Sequence, residues 1–380
     1  MTPRAAADAP VLTLRDLNRA TLARQMLLER AAVSVVTAIE RLAALQAQWA
    51  PSPYLALWSR LKDFKRESLW NAIEKKHTVV RARLMRGTLH LVSARDLYAY
   101  AIATQDLQRG AWNRLQVGAG VDPKEVAKLA VAYTREPRTS EDVVSHLTER
   151  LGSFGGGPYK WLIWRFVSAH ADLVSAPPAG HWAHGGTNVP YVSARHWIDG
   201  GARPTEEKAV ELLIRRYLTA FGPAALADIA RFAGQVPARI RPVLERLAPS
   251  LRRFSDEHGR TLFDLPRAPR PAANVNAPVR LLPRYDELLI GYEHRDRVIA
   301  KEHRGAVYSK NAIVEAVFLV DGFAAGTWSL ARTKSDAVVR LHPFGTLARS
   351  DRMAAIAEGE AVARFMAPDA KMPGARVEAP

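Results

Sequence analysis

The chain contains no cysteine. That excludes a thiol nucleophile, a CxxC redox pair, thiolate-bound zinc and an iron–sulfur cluster. It also fits a reducing compartment. No stretch reaches 18 uninterrupted apolar residues, so no transmembrane helix is expected. Met1–Pro10 holds one arginine and no apolar segment of useful length, so no secretory signal is expected and the location reads as cytoplasmic. Nucleotide-binding glycine patterns are missing: Gly155-Gly156-Gly157 is followed by Pro158, not by Lys or Ser/Thr. A GxSxG nucleophile elbow is missing too. His181 and His184 lie three apart with His196 beyond, but no acid follows at a ligand spacing, so neither metal nor cofactor is expected.

Negative charge is also scarce. Asp+Glu number 38 against 54 Lys+Arg, a formal net charge of +16. Of the basic residues 42 are Arg and 12 are Lys. Guanidinium makes planar, bidentate contacts with phosphate, where ammonium is a point charge. Such a chain prefers polyanions, nucleic acid before an anionic membrane surface. Its 380 residues suffice for two or three units with a large core.

Along the chain, Leu14–Arg30 carries a helical stripe, and Ser34 is a candidate cap for a helix with Val35, Ala38, Ile39, Leu42 and Leu45 on one face. That helix is expected to run into Gln46-Ala47-Gln48-Trp49, where Pro51 and Pro53 break it. Tyr54–Leu61 and Ser68–His77 read as further helices, and Val79–Val92 as a hairpin turning at Arg86-Gly87. Helix, helix, helix, hairpin is the order of a winged helix. Residues 96–170 are helical again, and 173–204 is loop and short-strand material suited to a second wing.

Residues 205–266 give the plainest local pattern. A helix to Phe221 is followed by the short helix Ala224–Ala233, a turn at Gly234 and a second helix bearing Arg239, Arg241 and Arg246. An alternating segment, Leu251–Leu265, then turns at Asp256–Gly259. This matches a helix-turn-helix with a wing, and its three arginines are candidate DNA contacts. From about 278 the pattern is β-rich, with Asp321-Gly322 as a hairpin turn and a closing helix at Ser350–Phe365. The expected division is 12–95, 96–204, 205–266 and 267–366, with unordered tails at 1–11 and 367–380.

Several segments carry a family resemblance. They are Leu45-Gln46-Ala47-Gln48, Leu55–Leu61, Leu84-Met85-Arg86-Gly87-Thr88-Leu89-His90-Leu91-Val92, Leu282-Pro283-Arg284-Tyr285-Asp286 with Arg295 and Arg297, and Asp321-Gly322 with Gly326-Thr327-Trp328. In this order they resemble the bacterial AlkZ/YcaQ-like winged-helix DNA glycosylases over about residues 12–365. The resemblance implies an α+β chain of three tandem winged-helix units and a β-rich C-terminal element around a DNA-binding concavity. It further implies monofunctional excision of bulky N7-alkylated purines, or unhooking of interstrand cross-links, without metal or cofactor. The family's Gln-aliphatic-Gln signature falls on Gln46, Ala47 and Gln48, and the amide at Gln48 places the chain in the AlkZ-like branch.

Two amides suit this chemistry in one respect. A Gln cannot deprotonate water, but its carbonyl accepts and its amide donates, so it can hold one. An N7-alkylated purine is already cationic and leaves without a proton donor. On an extended segment, residues i and i+2 face one way; on a helix they diverge by about 200°. Gln46 and Gln48 are therefore the expected catalytic residues.

Other roles stay open. Arg86, Thr88 and His90 could contact DNA or lie near the lesion, or His90 could be a structural hairpin residue. Asp286, Arg295 and Arg297 could form an ion-pair cluster or approach the lesion. Trp49 and Trp58 could be core or a wedge in the duplex. A non-catalytic winged-helix regulator and a damage-binding relative without activity are the competing functions. The expected partner is double-stranded DNA with alkylated purines or cross-links, bound by a monomer, with no membrane. Self-resistance to a DNA-alkylating natural product is one setting for such an activity.

Overall fold

In the computed structural model, residues 9–114, 120–152, 160–186, 188–199, 201–333 and 335–379 are described. The order helix, strand, helix, helix, hairpin occurs twice between residues 35 and 193, and helix, helix, helix, hairpin follows between 206 and 264, where an isolated bridge from Ala224 to Phe263 takes the place of the strand. After β1 (Val11–Leu12) and α1 (Leu14–Arg24) come α2 (Val35–Arg41), β2 (Leu45–Gln46), α3 (Ser52–Trp58), α4 (Arg66–Glu74), β3 (Val79–Arg83) and β4 (Leu89–Ser93). Then α5 (Leu97–Arg114) leads to α6 (Pro123–Tyr133), β5 (Arg138–Thr139), α7 (Ser140–Leu151), α8 (Lys160–His170), β6 (Leu173–Ser175) and β7 (Pro190–Ser193). A single turn, α9 (Ala194–Trp197), precedes α10 (Glu206–Phe221), α11 (Leu226–Ala233), α12 (Pro237–Leu247), β8 (Arg252–Asp256) and β9 (Thr261–Asp264).

The remainder is β10 (Arg280–Leu282), the short helices α13 (Glu287–Ile290) and α14 (Arg304–Val307), β11 (Val317–Val320), β12 (Phe323–Arg332), β13 (Asp336–Pro343), α15 (Arg349–Met366) and β14 (Met372–Val377). The fold is therefore mixed α+β with open sheets.

Local chemistry sets many of these boundaries. Thr13 with Asp16 and Thr139 with Asp142 form reciprocal capping boxes, and Ser34 accepts from the Thr37 N–H as the sequence suggests. Gly234 closes α11 in a left-handed conformation, φ 69°. At the predicted Asp321-Gly322 turn both residues have positive φ, 45° and 83°, which a two-residue hairpin loop requires. That turn docks on α1: Asn18 Nδ2 donates to the Gly322 carbonyl at 2.8 Å, and Arg15 and Arg19 pair with Asp321.

The first two repeats share one six-stranded sheet in the order β2-β4-β3-β6-β7-β5, joined where Arg81 of β3 faces Ser175 of β6. The third hairpin pairs with β1, and the last sheet runs β10 to β14 in sequence. The largest apolar cluster draws on Val80, Val92 and Tyr100 as well as Tyr217, Phe221, Phe232 and Leu282. It ties the hairpin β3–β4 to α10, α11 and the start of the C-terminal element. Trp58 stacks on Phe365 at 5.7 Å, and Trp49 packs on the cluster between α15 and the last sheet, so both are structural in place.

Three expectations need correction. The first helix stops at Arg24, because Met26 turns back at φ 56°. Helix α2 stops at Arg41, well before the Gln pair; Ala43 takes φ 67°, and Leu45 and Gln46 pair with Leu91 and His90. The expected unordered tail at 367–380 is ordered where described, since Met372–Val377 lies parallel to β13 from Asp336 to Leu341, and Val11–Leu12 is likewise held by β8. Residues 1–8 and the loop at 155–158 lie outside the described residues.

Candidate active site

The Gln pair sits where β2 ends. Gln46 is the last paired residue, opposite His90 on the middle strand of its half-sheet. At Ala47 the ladder is only half made. Its N–H donates to the Leu89 carbonyl at 2.7 Å, but its own carbonyl accepts from Arg81 Nη2 at 3.2 Å. The Leu89 N–H faces Gln48 Oε1 instead, at 3.5 Å. The backbone thus leaves the sheet at this point, and Gln48 emerges exposed on the wall of a cavity of about 300 Å³.

Gln46 is the opposite case. It is 7% exposed, its Nε2 donates to Thr88 Oγ1 at 3.3 Å, and its Oε1 is buried with no hydrogen-bond partner. An amide carbonyl in that condition has lost its solvation without compensation, at about 1–3 kcal/mol. Functional sites retain such groups because a ligand or water supplies the missing donor. The two amides converge on adjacent residues of the hairpin, Thr88 and Leu89.

Thr88 belongs to a further network. Its hydroxyl donates to the Met85 carbonyl at 3.2 Å, and its own carbonyl faces His90 Nδ1 at 3.0 Å. A carbonyl can only accept, so Nδ1 carries a proton. On the other side of the ring, Nε2 lies 2.9 Å from Glu287 Oε1, and Arg86 Nη2 reaches the same carboxylate oxygen at 2.6 Å. His90 is wholly buried, and Glu287 is 5% exposed with Oε2 unpartnered. Burial works against the charged form of Glu287. The Arg86 charge and the His90 hydrogen bond outweigh it, and the carboxyl lies below its ordinary range.

Arg86 is held at φ 54°, a conformation unusual for a side-chain-bearing residue. It is fixed by a 2.7 Å bond from Nη1 to the Phe232 carbonyl of α11 and by Glu287. Arg86 and His90 therefore spend their polar groups inside the molecule, and the hairpin tip docks on α11 and α13 instead of projecting as a free wing.

Glu287→Gln keeps the shape but leaves Arg86 without its counter-charge, and is expected to cost about 3 kcal/mol of stability at neutral pH. A carboxyl with a depressed pKa stabilises fully above its unfolded value, here about 4.5, and loses that contribution as pH falls through the folded value. Denaturant unfolding at about pH 7 and about pH 3.5 is expected to show the gap between wild type and variant closing in acid. A gap that stays constant contradicts the assignment.

The remaining candidates are dispersed. Asp286 does not pair with Arg295 or Arg297. It makes a two-pronged bond with Arg60, 2.8 and 2.9 Å, and caps Leu288 N–H at 3.0 Å. Arg60 and Asp286 are 1% and 4% exposed. Arg297 is buried over the Tyr292 ring, 4.2 Å from its centroid, and donates to the Pro223 carbonyl at 3.0 Å. Arg295 lies over Tyr308 at 4.0 Å. Arg239, Arg241 and Arg246 are exposed on α12, each against a carboxylate: Asp106 and Glu206 (3.4 Å), Glu245 (4.0 Å) and Glu207 (2.8 Å). Exposed pairs of this kind are weak and exchange readily for another anion.

His181 packs edge-on against Trp70 at 4.8 Å. Among the described residues, no three His, Asp or Glu side chains gather as a metal site, and no helix is long and apolar enough to cross a membrane. Residues that the sequence did not single out are Glu287, Arg60, Arg81 and Arg83. An acid directly before Leu288-Leu289-Ile290, and arginines alternating with Val80, Ala82 and Leu84, were the available signals.

Comparison with known proteins agrees with this layout. The Streptomyces sahachiroi protein named "Interstrand DNA cross-link repair glycosylase" is 28% identical over 335 residues, which is 81% of this chain and 85% of that protein. The solved structure of Streptomyces sahachiroi DNA glycosylase AlkZ matches with a TM-score of 0.78 at 20% identity, covering 97% of this chain and all of that one. That likeness shows a shared fold. Residues 39–365, which include both glutamines, the hairpin and Glu287, match the family described as "DNA glycosylase AlkZ-like". On that match, the chain belongs to the AlkZ-like DNA glycosylase family.

Proposed function

We propose that the chain is a monofunctional DNA glycosylase that hydrolyses the N-glycosidic bond of N7-alkylated purines, including guanines joined in interstrand cross-links. The observation that carries this reading is the amide pair: a buried Gln46 carbonyl oxygen without a partner, next to Gln48 on a cavity wall. The name of the Streptomyces sahachiroi relative supports the same class of substrate. In this reading the three helix–hairpin repeats act as winged helices around double-stranded DNA, with Arg239, Arg241 and Arg246 exchanging their carboxylate partners for phosphates. The protein works as a monomer in the cytoplasm.

The leaving purine carries a positive charge, so the C1′–N9 bonding pair neutralises the ring as it departs, and no acid is needed. Water adds to C1′ of the oxocarbenium-like sugar, and its proton passes to solvent. The Gln46 carbonyl accepts from that water while Thr88 holds the other end of the amide. Gln48 contacts the water or the sugar. His90, held in turn by Glu287, fixes the Thr88 carbonyl from behind. Positioning supplies most of the barrier reduction.

The test is release of free N7-alkylguanine from duplex DNA treated with a nitrogen mustard, in the presence of EDTA. The expected product is the modified base plus an alkali-labile site, at a rate that the chelator leaves unchanged. Tight binding with no base release would favour a non-catalytic binder.

A further inference from the structure

Among the described residues, Trp161 is the one aromatic side chain left exposed, at 59%. It stands in the first turn of α8, and helical spacing sets its direction. Residues three and four apart share a helix face, with about 5–6 Å between their Cβ atoms. Trp161 is therefore in line with Trp164 and Arg165. The Trp164 ring packs against Tyr191, centroids 4.4 Å apart, and both rings line the cavity that exposes Gln48. One turn further along, Ser168 and Ala169 join Trp164 around a narrow space of about 50 Å³ between α8 and β3. The helix thus runs from that space, past the Gln48 cavity, out to Trp161 in solvent. Trp49 and Trp58, by contrast, are packed against the C-terminal element.

A single exposed apolar residue is ordinary on a protein surface. Trp161 differs in its place, one turn from a ring that shares a cavity with Gln48, and in the charge around it. Helix α8 carries Lys160 and Arg165 and no acid. Arg165 also reaches toward the cavity: after burial, its charge is the largest influence lowering the pKa of Arg83. A cationic N7-alkylpurine is repelled from such a face. A neutral apolar surface would cover the indole but leave the cations unanswered. A nucleic-acid strand answers both, with flat neutral bases for the ring and phosphates for the cations.

We propose that Trp161 is a stacking platform for the unmodified base next to the lesion nucleotide. A bulky N7 adduct or a cross-link disturbs the stack on its own strand and leaves the neighbouring base with an open face. The indole covers that face, and the lesion nucleotide is thereby held over the Gln48 cavity. Trp161 touches neither the attacking water nor the glycosidic bond, so it is a positioning residue. The inference rests on the glycosylase reading for its lesion, but the contact is measured apart from turnover.

The experiment uses a duplex with one nitrogen-mustard cross-link between guanine N7 atoms. 5-Bromouracil replaces the base 5′ to the cross-linked guanine, the base 3′ to it, or a control base one helical turn away. Under long-wavelength ultraviolet light, bromouracil stacked on an indole couples to it with loss of bromide. Wild type is expected to give an adduct on Trp161, located by peptide mass spectrometry, at one flanking position and about tenfold less at the control. Trp161→Ala is expected to slow single-turnover unhooking by about tenfold, and Trp161→Phe by no more than about threefold, because phenylalanine keeps a ring to stack on. Both variants are expected to melt as wild type does, since the side chain is exposed.

Trp161 adducts no stronger at either flanking position than at the control would overturn the proposal without reference to any variant. So would a Trp161→Ala protein that unhooks at the wild-type rate, or a Trp161→Phe protein as slow as Trp161→Ala. Absence of unhooking in wild type would remove the glycosylase reading, while the adduct map still decides the stacking site.

Discussion

Gln48→Ala slows single-turnover base release by about 100-fold and changes affinity for the same duplex by less than about threefold. Gln48 is exposed, and among the described residues its side chain makes a long 3.5 Å hydrogen bond with the Leu89 N–H, so truncation removes little that supports the fold. Gln46→Ala has a similar effect on rate with a modest loss of stability, because Gln46 is buried and bonded to Thr88. The double variant is not expected to multiply the two losses. Groups that hold one water act as a unit, and removing either disorders it. Single-turnover kinetics and equilibrium binding on one duplex check this, and an equal loss in both measurements would make the Gln pair a binding feature.

The second large effect is on stability. Asp286→Ala leaves the Arg60 guanidinium buried against neutral partners, the Ala56 carbonyl at 3.0 Å, Ser59 Oγ at 3.2 Å and Gln25 Oε1 at 3.1 Å, and is expected to cost about 3–5 kcal/mol. Replacing both residues, Arg60→Met with Asp286→Leu, is expected to recover most of that loss, because the double change removes the unpaired charge. Base release per folded molecule stays close to wild type at low temperature. Denaturant unfolding reads the first quantity, and base release normalised to folded protein reads the second. A stable Asp286→Ala protein that has lost activity would return Asp286 to the lesion.

Features set by neighbours in sequence were legible from the sequence. Ser34 caps where its spacing says, and Arg86-Gly87 and Asp321-Gly322 turn because glycine and alternating apolar strands lie beside them. Features set across the chain were not. Leu42 and Leu45 continue a helical stripe, so the period runs on through a segment that in fact turns at Ala43 and pairs with Leu91 and His90. The strand at Met372–Val377 is poor in apolar residues and exists because β13 offers it an edge.

The chemistry divides in the same way. Gln46 and Gln48 were found through a family motif, and their placement on an ending strand is compatible with that role. Nothing local says which of the adjacent acids Asp286 and Glu287 meets His90 and Arg86. Arg60, an interior position among Leu55 to Leu61, gave no sign that its counter-charge lay 226 residues away.

The central claim is that two amides, with no ionisable group touching the water, perform the hydrolysis. Single-turnover unhooking of a defined N7-guanine cross-link by wild type and by the Gln46→Ala/Gln48→Ala double variant tests it most directly. The account predicts separated strands with wild type and none above background with the double variant, at matched DNA occupancy. Unhooking by the double variant at the wild-type rate would contradict it.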